Sequence, residues 1–151
     1  MDRGRRARKV QVGGAAVNIE FRVPIVPIGK ARAHVTARGT FTPTKTRNAE
    51  AAVALIAKGA MNGRQIALGR VIAAIEAVMP IPASWSKAKR QDAISSVVRP
   101  TGRPDADNIS KLVLDACNGI VYADDSQIVD LTVTKFYGTE PGITARFQWG
   151  E

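Results

Sequence analysis

Residues 103–135, RPDADNISKLVLDACNGIVYADDSQIVDLTVTK, decide how the chain folds and where its chemistry sits. Ile109, Leu112, Val113, Ala116 and Cys117 recur at helical spacing and form one apolar stripe, with Asn108, Lys111 and Asp115 on the opposite face. Asp107 is a suitable N-cap, and Asn118-Gly119 supplies a C-terminal stop. Ile120 to Tyr122 can then bring the chain back as a short extended segment to a turn at Asp124-Asp125-Ser126, and a strand is expected from Ile128 to Tyr137.

The same stretch is a charge anomaly. Between residues 105 and 130 stand six aspartates, Asp105, Asp107, Asp115, Asp124, Asp125 and Asp130, against one base, Lys111. The rest of the chain holds 21 bases and 7 acids, and the whole carries a net charge of +9. A chain drawn to polyanions thus concentrates its negative charge in one segment. Such carboxylates repel one another unless a cation or solvent relieves them.

Downstream, Ile143, Ala145, Phe147 and Trp149 alternate with Thr144, Arg146 and Gln148, which predicts a last strand paired with the one before it across Gly138 to Gly142. Upstream, Val71 to Met79 is apolar on both faces apart from Glu76, as expected of a central strand covered on each side, and Pro80 and Pro82 close it. A helix starting near Thr42-Pro43-Thr44 and running through Met61 to Asn62-Gly63 is expected to pack on the sheet. Val17, Ile19, Phe21 and Val23 alternate with polar residues until Pro24, giving a first strand, and Val35 and Phe41 flank a short hairpin turning at Arg38-Gly39.

At 151 residues and 45% hydrophobic composition, the expectation is one α/β (α+β) domain with a mixed β-sheet flanked by helices, spanning residues 17–151. Residues 1–16, with Arg3, Arg5, Arg6, Arg8 and Lys9, are expected to form a flexible basic arm that is either a simple tail or a DNA contact. One cysteine allows no internal disulfide, and no apolar run is long enough to span a bilayer, so a cytoplasmic location and no membrane partner are expected. The single histidine cannot build a triad with Cys117, which belongs to the apolar helix face; His34 reads as a phosphate contact and Cys117 as core. Net positive charge favours nucleic acid, and three groups of bases are candidate DNA contacts: Lys30, Arg32 and Arg38; Lys87, Lys89 and Arg90; and Arg99 with Arg103. The second and third lie in a segment, Ser84 to Arg103, read as a substrate-facing loop with a short helix, in which Trp85 either anchors the loop or stacks on bases.

Hydrolysing a phosphodiester near neutral pH requires a cation to neutralise developing charge and activate water, and carboxylates suit Mg²⁺. A return of Asp125 toward Asp105 and Asp107 would supply three hard ligands, with the Lys111 ammonium available to stabilise transition-state charge. On spacing alone the plainer alternative stands beside it: Asp107 caps a helix, Asp124 and Asp125 make a turn, and Lys111 is a solvated surface residue.

Arg103-Pro-Asp-Ala-Asp-Asn, Lys111, Leu114-Asp-Ala, Asn118-Gly, Asp124-Asp-Ser-Gln-Ile-Val and Lys135, in that order, resemble the signature of the RusA family of Holliday junction resolvases, many of them phage-encoded. Pro27-Ile-Gly-Lys-Ala-Arg, Thr40-Phe-Thr-Pro and Trp85-Ser extend the likeness over roughly residues 17–149. The resemblance implies a homodimeric, Mg²⁺-dependent endonuclease, with Mn²⁺ an expected substitute and no small-molecule cofactor, that nicks four-way DNA junctions in recombination and repair. It implies Asp105, Asp107 and Asp125 as metal-binding catalytic acids, Lys111 as the catalytic charge and Asp124 as a candidate additional ligand. The approach from Ser84 to Pro104 is longer than in the cellular bacterial resolvases and the Asn118-to-Asp124 connection shorter, which bears on sequence preference more than on chemistry. A nuclease of flaps or other branched DNA, and a junction-binding protein without cleavage, are the alternatives.

Overall fold

The computed structural model describes residues 15–150. The expected arm therefore lies outside the described residues except for its last two, and Ala16 already belongs to a strand.

Strand β1 (Ala16–Val23) alternates as its sequence requires, burying Ile19, Phe21 and Val23 and exposing Asn18, Glu20 and Arg22. After Pro24 the chain forms a hairpin of β2 (His34–Thr36) and β3 (Gly39–Phe41). Helix α1 (Thr44–Met61) starts after Pro43 and stops at Asn62, which takes the left-handed conformation (φ 48°) that a short polar side chain tolerates. Strand β4 (Val71–Pro80), helix α2 (Lys87–Ile94) and helix α3 (Ala106–Cys117) follow. A single 3₁₀ turn, Asp125–Gln127, then leads into β5 (Ile128–Gly138) and β6 (Gly142–Gly150).

The main sheet has the order β1-β6-β4-β5 and is mixed, with β4 parallel to β5 and antiparallel to β6, and β6 antiparallel to β1. This corrects the expected β5–β6 hairpin, because β4 lies between those strands. A short connection ordinarily signals a hairpin, but here residues 139–141 step over the end of β4, which stops at Pro80 level with Gly138. The crossing is tight: a Cβ on Gly138 would lie 2.5 Å from Val78 Cγ1. Arg22 clamps the link by donating to the carbonyl oxygens of Glu140 (2.8 Å) and Pro141 (3.1 Å).

Helices α1 and α3 cover one face of the sheet. Ala49, Val53, Ala57 and Met61 of α1, and Ile109, Leu112, Val113 and Cys117 of α3, close over Val71, Ala73, Ile75 and Ala77 of β4 and over Phe147, Ala145 and Ile143 of β6. Burying each large aliphatic side chain contributes about 1.5–3 kcal/mol. The opposite face of β4 (Ile72, Ala74, Glu76 and Val78) is only half-buried, so the expectation of cover on both sides is corrected. On that open face Glu76 is reconciled with its apolar neighbours by Arg146, which donates to it at 3.0 Å and also pairs with Glu20.

Candidate nuclease site

The helix carrying the acidic motif begins two residues earlier than its spacing suggests. Asp105, not Asp107, is the N-cap: its backbone is extended (φ −70°, ψ 147°) and its carbonyl accepts from the Ile109 amide. The Asp105 side chain makes no capping hydrogen bond, which leaves its carboxylate directed to other uses. Asp107 lies in the first helical turn, where the helix dipole favours an anion, and the tertiary constraint on residues 102–105 rather than capping preference sets the boundary.

Two attachments hold that boundary. Lys135, on β5, donates its ammonium to the carbonyls of Gly102 (2.7 Å) and Pro104 (2.9 Å), pinning the loop that enters α3 through the cis Arg103–Pro104 peptide. From the other side the segment after β1 docks on the first turn, its Lys30 amide donating to Asn108 O at 2.9 Å. The approach needs Gly29, where a Cβ would lie 2.9 Å from Asn108 Cβ and 3.4 Å from Pro104 Cβ.

Between these segments opens a cleft of about 760 Å³ whose wall includes Lys30, Arg32, Lys45, Arg103, Asp105 and Asn108. Of the residues singled out in the sequence, the fold thus gathers Asp105, Lys30, Arg32 and Arg103. Lys30 is not an open charge: its ammonium pairs with Glu50 of α1 and with Asp115 of α3 (3.3 Å). Burial acts to lower its pKa, but the two carboxylates, Glu50 foremost, outweigh that and raise it, so Lys30 stays charged and ties the cleft floor together. Asp115 is thereby taken by Lys30 and not by Lys111, one turn away, which is exposed and has no carboxylate partner among the described residues.

The second acidic segment is fastened by its own turn. Asp124 accepts from the Ser126 amide at 3.1 Å, and Gln127 Oε1 accepts from the amides of Ala123 and Asp124, forming a reciprocal cap. Hydrogen bonding from Ser126 holds the Asp124 carboxyl below the usual carboxylate range. Gln127 Nε2 donates to Ala67 O and Gly69 O, both at 2.8 Å, which fixes the turn to the core. One oxygen of the Asp124 carboxylate is thus engaged by the turn, while Asp125 begins the 3₁₀ helix that packs against α3. Beneath it Tyr122 is fully buried, its hydroxyl donating to Leu114 O at 2.8 Å, and burial raises its pKa and keeps it protonated.

Asp105, Asp107 and Asp125 make no salt bridge and no side-chain hydrogen bond among the described residues. Their donor chemistry fits a hard divalent cation. They are not gathered in advance: among the described residues no three acids, histidines or cysteines are close enough to enclose a metal ion.

The other sequence candidates lie away from the cleft. Arg38 is at the tip of the β2–β3 hairpin. Lys89 sits 4.0 Å over the Trp85 ring, which meets Tyr137 edge-on at 5.1 Å, so Trp85 anchors its segment to β5. Arg90 donates to Pro82 O, and Lys87 is exposed on α2. Arg99 stacks 4.2 Å over Phe136 and donates to Lys135 O. Asp130 is exposed on β5, paired with Ile72 on the open face, and Cys117 is core, its thiol pushed up to about 12 by burial. Lys45 and Lys135 were not among the sequence candidates. Lys45 lay hidden in a helix assigned to packing; Lys135 stood in the motif, yet no spacing rule joins it to Gly102.

A family model described as endodeoxyribonuclease RusA matches residues 24–147. The chain is also similar to the uncharacterized protein YqaN of Bacillus subtilis (strain 168), with 37% identity over 131 residues that cover 83% of this chain and 92% of that protein. No helix among the described residues is long and apolar enough to cross a membrane.

Proposed function

The chain belongs to the RusA endodeoxyribonuclease family, and on that premise we propose that it is a Mg²⁺-dependent endonuclease that resolves four-way DNA junctions by paired nicks, acting as a homodimer. The observation that carries this reading is the basic cleft in which Asp105 stands at the N-terminus of α3 among Arg32, Lys45 and Arg103.

Arg32, Lys45 and Arg103 bind the phosphates on either side of the scissile bond. Asp105, Asp107 and Asp125 would hold Mg²⁺, or Mn²⁺ in its place, and the ion would supply neutralisation of the phosphate charge and activation of water. Lys111, one helical turn beyond Asp107, offsets the negative charge that grows on the phosphate oxygens in the transition state. Lys135, from outside the cleft, and Gly29, in its wall, set the position of Asp105. Two nicks on opposed strands call for two equivalent sites about a dyad, which a C2 homodimer supplies.

The test is a synthetic four-way junction labelled on each strand in turn and incubated with and without Mg²⁺. Symmetric nicks in paired strands that require Mg²⁺ are the expected result. Faster cutting of flaps than of intact junctions would replace four-way junctions by branched DNA of other kinds. Tight binding with no cleavage in Mg²⁺ or Mn²⁺ would reject the nuclease reading.

A further inference from the structure

We infer that the β2–β3 hairpin is a branch-reading element, whose His34–Phe41 ring pair stacks on an unpaired nucleobase at the centre of the junction. This rests on the branched-DNA reading above and deepens it by assigning a surface and a mode of contact.

The hairpin is built at odds with ordinary packing. Every residue from Arg32 to Phe41 is exposed, including Val35 (81%) and Phe41 (54%). A two-stranded hairpin with no apolar cover is marginal by itself, yet this one is locally fastened. The Thr36 hydroxyl donates to Gly39 O (3.0 Å) and accepts from the Arg38 amide (3.3 Å), and Gly39 adopts a φ of 124° that side-chain-bearing residues rarely reach. His34 and Phe41 are register partners, and their rings lie 5.3 Å apart and nearly parallel at 16°. They form a flat π-surface held open to solvent.

The surroundings identify the occupant. From Phe21 to Ala49 the chain has no acidic residue, and with Lys30 tied to Glu50 and Asp115 and Arg22 to carbonyls, the bases left around the hairpin are Arg32, Arg38, Lys45 and Arg47. Both ends of the hairpin run into the cleft, Arg32 before β2 and Lys45 after β3, in the same wall as Asp105. A polyanion held in the cleft would therefore extend along the hairpin, and the part of it with a π-face is a base. In an intact duplex the bases are stacked and out of reach; at a branch they can unstack. Stacking on an aromatic platform tolerates any base, as a structure-selective contact requires.

The experiment places 2-aminopurine either at the branch point or in the middle of one arm of a four-way junction, and records its fluorescence on adding protein without divalent cation. With the wild type, the branch-point probe is expected to change severalfold and the arm probe little. Phe41→Leu, which keeps apolar bulk but removes the ring, should abolish the branch-point change and weaken junction binding about tenfold, with duplex affinity altered less than about twofold. Phe41→Trp should restore both. An unchanged melting temperature for Phe41→Leu separates this from loss of fold. A Phe41→Leu variant with wild-type probe response and junction preference overturns the hairpin inference alone. A wild-type protein with no preference for junction over duplex overturns the branched-DNA reading as well. Loss of binding to junction and duplex alike in Phe41→Leu would make the hairpin a general DNA contact and also overturn the inference.

Discussion

Lys30, Lys111 and Asp115 illustrate what a single residue's surroundings decide. On helical spacing Lys111 can pair with Asp115, but Lys30 reaches Asp115 from the far end of the chain and leaves Lys111 exposed. Lys111, one turn beyond Asp107, is then left open to a phosphate, and Asp107 in the first turn to a cation. Asp107→Asn should abolish Mg²⁺-dependent nicking while keeping or tightening junction binding, because it removes a ligand charge that also repels phosphate; nicking of labelled junctions and a gel-shift titration check the two halves. Unchanged nicking would reject the assignment. Lys135 acts at one remove. Lys135→Met leaves the carbonyls of Gly102 and Pro104 without their charged donor, a loss of about 1.5–3 kcal/mol where such groups are shielded. Cleavage should fall at least tenfold and the Mg²⁺ concentration for half-maximal activity should rise, with junction affinity changed little and Lys135→Arg partly restoring the rate.

At the scale of elements, α3 was legible in advance because everything that defines it is local. Ile109, Leu112, Val113 and Cys117 repeat at the helical period, and all are buried on the sheet as the stripe requires. Its first residue was not legible, since Asp105 and Asp107 are equally good caps by type and the choice falls to Lys135 and Gly29, which are far from them in sequence. The docking of residues 27–30 on α3 makes its own prediction. Gly29→Ala places a Cβ 2.9 Å from Asn108 Cβ, so one segment must move. The variant should lose about 1–3 kcal/mol in urea unfolding and cut junctions more slowly, because the displaced turn carries Asp105 and Asp107. The β5–β6 pairing failed for a related reason. Alternation marks Ile128–Gly138 and Gly142–Gly150 as strands, but no local pattern reports that β4 inserts between them.

Over the whole molecule, charge is divided by the fold into bases that are paired and bases that are offered. Arg146 and Lys30 are bound to carboxylates, Arg22 and Arg99 to carbonyls, whereas Arg32, Lys45 and Arg103 face the cleft. Binding to junction DNA should therefore weaken steeply with salt. Arg103→Ala should reduce the slope of log K against log salt by about 1, while Lys30→Met should alter the slope less and lower the unfolding free energy instead. Equal slopes for both variants would reject this division. By itself the sequence determined the class of the domain, its helices and strands, the family signature and the concentration of acid in one segment, because each is a property of period, composition or near neighbours. Only the tertiary structure decided the strand order, the open sheet face, the true cap of α3 and which bases meet Asp105. Those depend on contacts between residues tens of positions apart, such as Lys30 with Asp115 and Lys135 with Gly102, whose energies no local pattern encodes.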